Sequence, residues 1–140
     1  MKLTGLIGGA LILVLFVLSG AEGAKWQYVD TDALGSKWYI DIDSITEQSG
    51  DIVTAWLKCI YSDKGRIEHV STWGPEYKDL AQTKSFFEYN CATKESRITT
   101  FTTYDSQNKV IDKQVIKERR WIPLPPQTVT DGIHKIVCPK

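Results

Sequence analysis

Few residues of this 140-residue chain stand at spacings that support catalysis or metal binding. His69 and His134 are its two histidines, and neither falls in an H-x-x-H or H-E-x-x-H pattern. No C-x-x-C occurs either, so no pair of metal ligands is brought together by local spacing. Asp41 and Asp43 are two apart on one side of an extended segment, the arrangement of paired carboxylates in acid–base work. Beside the Ser44 hydroxyl they fit a turn or loop cap better, because short polar side chains bond neighbouring backbone groups. A hydrolase built from Asp41 or Asp43 with His69 would need a cleft joining them. No G-x-S-x-G and no glycine-rich phosphate loop is present. The expectation is therefore no enzyme, no catalytic residue, no metal and no cofactor.

Binding chemistry is better represented. In the stretch Asp51–Ser62, Val53, Ala55, Leu57, Cys59 and Tyr61 alternate with Ile52, Thr54, Trp56, Lys58 and Ile60. The first set suits a core, and the second is mixed. Trp56, Lys58 and Ile60 thus share the face away from the core, and an aromatic ring beside a cation is a common centre of protein contacts. A protein or a small apolar ligand is the partner such a face would take. Trp26, Trp38 and Trp73 are candidates to join it. The competing expectation is that a C-terminal helix simply covers this face. The basic run Lys117–Trp121 reads as a solvated strand edge protected by charge.

The elements that must position these residues follow from periodicity and turn signals. β-Branched and aromatic residues at period two make Asp51–Ser62 a long central strand of an antiparallel sheet. Further strands are expected at Ala24–Asp30, Lys37–Asp41, Phe86–Cys91, Arg97–Tyr104 and Lys109–Lys117. Gln48–Asp51, with Gly50, and Asp105–Asn108 read as tight turns. Arg66–Trp73 reads as an irregular strand or loop, and Glu76–Gln82 as a helix of two turns at most, from the spacing of Tyr77, Leu80 and Ala81. Thr128–Cys138 carries Val129, Ile133, Ile136 and Val137 at helical spacing, although Gly132 weakens that helix by about 1 kcal/mol relative to Ala. The fold class is α+β: a single antiparallel β-sheet of about six strands with a C-terminal α-helix docked on it.

Met1 and Lys2 followed by an uncharged run from Leu3 to Ala21 with small residues at its exit describe a signal peptide, residues 1–23. The alternative is a retained anchor, since the run is just long enough to span a bilayer, and a membrane is expected only through that leader. Leu18-Ser19-Gly20 begins like a lipoprotein processing box, but residue 21 is Ala where the lipidated Cys would stand. Residues 24–140 then form one domain, exported to the periplasm, the cell envelope or the medium. Lys and Arg total 17 and Asp and Glu total 17, so a net charge of zero gives no electrostatic reason to expect nucleic acid. Three cysteines in an oxidising compartment leave one unpaired. Cys59 shares the core face of its strand and packs as a small hydrophobe. Cys91, at a strand end, and Cys138, beside the C-terminus, are free to meet and form the disulfide.

A wider pattern runs through the chain. Trp38-Tyr39-Ile40-Asp41 precedes Asp43-Ser44-Ile45; Trp56-Leu57-Lys58 follows; then come Asn90-Cys91, Arg97-Ile98, Tyr104-Asp105, Trp121-Ile122-Pro123-Leu124-Pro125 and Val137-Cys138. In this order the residues resemble the surface-adhesin protein E family of bacterial exported domains, over nearly all of residues 24–140. The resemblance implies an antiparallel sheet of about six strands whose C-terminal helix is held by a disulfide. It also implies a binding or interaction role, as in the family's namesake, a surface lipoprotein. A structural envelope-accessory domain without ligand, dimerising through a strand edge, is the alternative.

Overall fold

Strand β4 (Ile52–Ile60) is the centre of the sheet, and its alternation follows the sequence: Val53, Ala55, Leu57 and Cys59 are buried while Trp56 and Ile60 are exposed. The computed structural model describes residues 24–118, 120–123 and 128–139. The expected leader and most of the proline-rich segment after Trp121 lie outside the described residues. Thr54 is the exception on β4, buried although it belongs to the mixed face. The two-residue strand β3 (Thr46–Glu47) folds back beside it, and Gln48 Nε2 donates to its hydroxyl. Gly50, at φ +69°, makes the reversal between β3 and β4 that an L side chain would resist.

The other strands are β1 (Trp26–Thr31), β2 (Lys37–Asp41), β5 (Leu80–Asn90), β6 (Glu95–Asp105), β7 (Val110–Val115) and β8 (Ile122–Pro123). All pairings are antiparallel, in the order β1-β2-β4-β5-β6-β7, with β3 beside β4 and β8 beside the start of β6. Among the described residues, six full strands and two short ones therefore form the sheet. The β6–β7 turn is made as its residues require: Asp105 Oδ1 accepts from the backbone N–H of Gln107 and Lys109, and Asn108 takes φ +63°.

Helix α2 (Thr128–Val137) lies on the Val53–Leu57 side of the sheet. Ile133 and Val137 join Ile40, Val53, Ala55, Leu57, Phe87 and Tyr89 in one core. Val29, next to the outward-facing Tyr28 in β1, packs against this core, and the register shifts between Tyr28 and Asp30. Gly132 has a packing role here. A Cβ on it would lie 2.8 Å from Val29 Cγ1, so its absence lets helix and strand approach. Cys91 and Cys138 are bonded, with Cα atoms 5.6 Å apart and a sequence separation of 47, which fastens the end of α2 to the end of β5. Cys59 is the free cysteine among the described residues and is buried.

Two segments differ from the sequence reading. Helix α1 (Asp63–Trp73) stands where a strand end and an irregular stretch were expected. Its N-terminus is capped by Ser62, whose Oγ accepts from Gly65 N–H at 2.9 Å and donates to Leu34 C=O at 2.6 Å. Gly65 is buried against Ser36, where any Cβ would overlap Ser36 Oγ. The helix is thus set by a cap and a close contact with the β1–β2 connection, neither of which produces an apolar stripe. In place of a helix over Glu76–Gln82 there is one 3-10 turn, Pro75–Tyr77, after which β5 starts at Leu80. Leu80 is buried, and pairing with both β4 and β6 extends β5 well ahead of Phe86.

Candidate functional site

The face of the sheet opposite α2 is open among the described residues, and strand register decides what stands on it. Trp56 of β4 is opposite Phe86 of β5, their ring centroids 5.2 Å apart. Lys58 is opposite Tyr39 on one side and Lys84 on the other. Tyr39 in turn meets Tyr28 edge to face at 5.8 Å. Lys58 Nζ lies 4.4 Å from the Trp26 ring centroid and 5.2 Å from that of Tyr39, and Lys84 Nζ lies 5.4 Å from that of Tyr104. These are cation–π distances, which hold an ammonium without neutralising it. Burial, and then the nearby Lys84 charge, lower the Lys58 pKa from its ordinary value. Beside these residues runs a groove of about 670 Å³ lined by Trp26, Asp41, Trp56, Lys84, Tyr104 and Lys113, among others.

The residues singled out in the sequence thus have definite places. Trp56, 38% exposed, and Ile60, 41% exposed, flank the part-buried Lys58 on this open face. Helix α2 does not cover them; it lies on the other side. Trp26 joins the face. Trp38 does not, because it is opposite the buried Cys59 and its Nε1 donates to Asp32 Oδ2 at 3.0 Å. Trp73 is exposed on α1. Lys84, Tyr104 and Lys113 are additions that the sequence reading missed. They reach the site only through the pairing of β5, β6 and β7.

Asp41 and Asp43 serve the chain locally. Asp41 Oδ1 accepts from the backbone N–H of Lys25 and of Asp43, and Ser44 Oγ donates to Asp41 C=O while accepting from Trp56 N–H. This network anchors the 3-10 turn Ile42–Ser44 onto β4. His69 is held elsewhere, among the rings of Tyr61, Trp73 and Tyr77 at 5.6, 6.3 and 4.8 Å. No hydrogen bond joins it to either aspartate among the described residues. His134 Nδ1 shares a 2.6 Å hydrogen bond with the hydroxyl of Tyr89. Arg97 pairs with Glu88 and lies 4.3 Å from the Trp121 ring.

Burial lowers the pKa of His69 from its ordinary 6.5. The folded protein therefore resists the proton that the unfolded chain accepts. The His69 contribution to stability is present above about pH 6.5 and is lost as pH falls through that value toward the lower folded pKa. Urea midpoints measured between pH 7.5 and 5 are expected to fall across this window, and less so in His69→Gln. Burial, and then Asp32, push the Cys59 thiol up to about 12. Iodoacetamide at pH 8 is expected to leave Cys59 unmodified in the native protein and to label it fully in urea, as mass spectrometry would show.

On the α2 side, an apolar cavity of about 310 Å³ opens between helix and sheet, lined by Leu57, Phe87, Ile98, Val129 and Ile133 among others. No group of three or more metal-ligating side chains is present among the described residues, and no helix there is long and apolar enough to cross a membrane.

An antiparallel sheet, one face covered by a disulfide-fastened C-terminal helix and the other presenting aromatic and basic side chains, defines a small single-sheet α+β domain. The chain belongs to the Surface-adhesin protein E family, whose pattern matches residues 26–139. Two crystallographic forms of Haemophilus influenzae protein E have a similar fold. The selenomethionine form is 19% identical, with a TM-score of 0.52 over 79% of this chain and 84% of that one. Crystal form II is 20% identical, with a TM-score of 0.50 over 72% of this chain and 79% of that one. At such identities the likeness is one of fold. No curated protein matches the chain by sequence.

Proposed function

We propose that this chain is an exported, non-catalytic, adhesin-like domain that holds its partner on the open face of the sheet, around Trp56, Lys58 and Ile60. Membership of an adhesin family supports the class. The single observation that supports the location is that α2 packs on the other face, leaving Trp56 and Ile60 exposed beside Lys58. A contact surface of this kind buries large rings at small entropic cost, and a protein or a small apolar ligand would be its occupant. The leader of residues 1–23 would deliver the domain to the periplasm or the cell surface.

The test is capture from envelope extract by immobilised residues 24–140, repeated with Trp56→Ala. Loss of a central aromatic anchor is expected to weaken capture by about tenfold or more. Unchanged capture would remove this surface from consideration. A second reading, a ligand-free envelope-accessory domain dimerising through a strand edge, has one observation in its favour. Strand β7 ends the sheet among the described residues and carries Val110 and Val115 at 58% and 60% exposure. Sedimentation equilibrium distinguishes it: a dimer lost on Val115→Lys would support the edge.

A further inference from the structure

We propose that the open face binds a linear anionic polysaccharide, with carboxylates or sulfates set on a cross-sheet row of lysines and sugar rings set on the flanking aromatic side chains. This rests on the reading of that face as the contact surface and differs from it in the occupant, a charged sugar chain in place of a protein or a small apolar ligand.

Strand register builds the row. Lys58 is opposite Lys84, Lys84 opposite Thr102, and Thr102 opposite Lys113. Neighbouring strands are about 4.8 Å apart, so the three lysine stems leave the sheet on one line, spaced by roughly 5 and 10 Å. Like charges directly opposite each other oppose folding. The row is nonetheless uncompensated: the ion pairs among the described residues are Arg66–Asp63 and Arg97–Glu88, and neither involves these lysines. Asp41, the carboxylate lining the groove, is already engaged by two backbone N–H groups. Trp26, Tyr39 and Tyr104 orient two of the ammoniums and leave their charge intact. Among the described residues the groove lining carries Lys84 and Lys113 against Asp41, a positive excess that an anionic ligand would balance.

The flanks narrow the ligand class. One neighbouring row reads Trp56, Phe86, Thr100, Val115. The row on the other side reads Ile60, Gln82, Tyr104, Val110. Charge runs down the middle, ring and aliphatic surface lies along both sides, and threonine hydroxyls stand between. A sugar chain offers the complement: apolar ring faces, hydroxyls and regularly repeated anions. An acidic peptide gains less here, because the strand backbones beneath the face are consumed in their own ladders and an added strand needs an edge. A groove also admits a chain more readily than the plane of an anionic membrane. Lysine suits the task, since a three-donor point charge accepts carboxylate or sulfate without a fixed bidentate geometry.

The test titrates the protein with dextran sulfate and with alginate, using neutral dextran as the uncharged control and tryptophan fluorescence and calorimetry as readouts. Poly-glutamate and vesicles containing anionic phospholipid form two further arms. Binding of a charged polysaccharide and not of neutral dextran is expected, weakening as salt rises. Lys84→Gln and Lys113→Gln are each expected to weaken it by about tenfold, while Lys64→Gln on α1 leaves it unchanged. The lysine variants should fold at least as well as the parent, because one like charge is removed, and melting curves check this. Binding insensitive to Lys84→Gln and Lys113→Gln would overturn the proposal. So would tighter, Lys84-dependent binding of poly-glutamate or vesicles than of either polysaccharide. If Trp56→Ala abolishes capture from envelope extract while neither polysaccharide binds, this proposal fails and the reading of the face stands.

Discussion

Replacing Cys91 and Cys138 together by Ser is expected to lower unfolding stability by about 4 kcal/mol. The bridge closes a loop with a sequence separation of 47, and the chain-entropy relation for a loop of that length yields about that figure. Domains of this size are stable by only about 5–15 kcal/mol, so the double variant should lose between about a quarter and four fifths of the original margin. The loss is concentrated at one place. Ile133 and Val137 of α2 contribute to the core, and the bridge holds the end of that helix against the end of β5. Urea denaturation should show a midpoint much reduced, with far-UV dichroism losing helix before strand. A shift under about 1 kcal/mol would mean that apolar contacts alone keep the helix docked.

The second large effect is expected at Ile40. Its side chain is fully buried, it is opposite Leu57 in the β2–β4 ladder, and it lies in the core shared with α2. Ile40→Ala removes apolar area and leaves a cavity that a sheet cannot close by small shifts, at a cost of about 3 kcal/mol. The melting temperature should fall by roughly 10–15 °C. Trp56→Ala, on the other face, offers the contrast. Its ring is partly in water and, among the described residues, packs against Phe86, so that variant should lose less than about 1.5 kcal/mol while losing capture. The buried core lies on the Ile40 side of the sheet and the proposed contact surface on the Trp56 side. Thermal melts of the two variants side by side test that division.

What could be read in the chain follows from which signals are local. The alternation of Val53, Ala55, Leu57 and Cys59 needs only a period of two, and it gave both the core face and the unpaired thiol, hence the Cys91–Cys138 pairing. The Asn108 and Gly50 turns are likewise written in adjacent residues. Helix α1 was hidden because its apolar residues, Ile67, Val70 and Trp73, make no stripe facing a core; Ile67 and Trp73 are in water. What fixes that helix is Ser62 at its cap and Gly65 against Ser36, a contact between segments distant in sequence. The start of β5 reads as helix in the linear chain because Tyr77, Leu80 and Ala81 repeat at helical spacing. Only its two neighbouring strands make it extended. The lysine row illustrates the same limit. Lys58, Lys84 and Lys113 lie in three strands, and no pattern in the linear chain states that they align.

Hydroxyl-radical footprinting of the domain, free and bound to whatever it captures from envelope extract, tests most directly whether the open face is the contact surface. Trp26, Trp56 and Tyr104 are expected to become protected, while Ile98 and Val129 beside the α2 cavity and Trp73 on α1 keep their reactivity. Protection confined to Ile98, Val129 or Trp73, with Trp56 as reactive as in the free protein, would place recognition on the helix side and contradict this account.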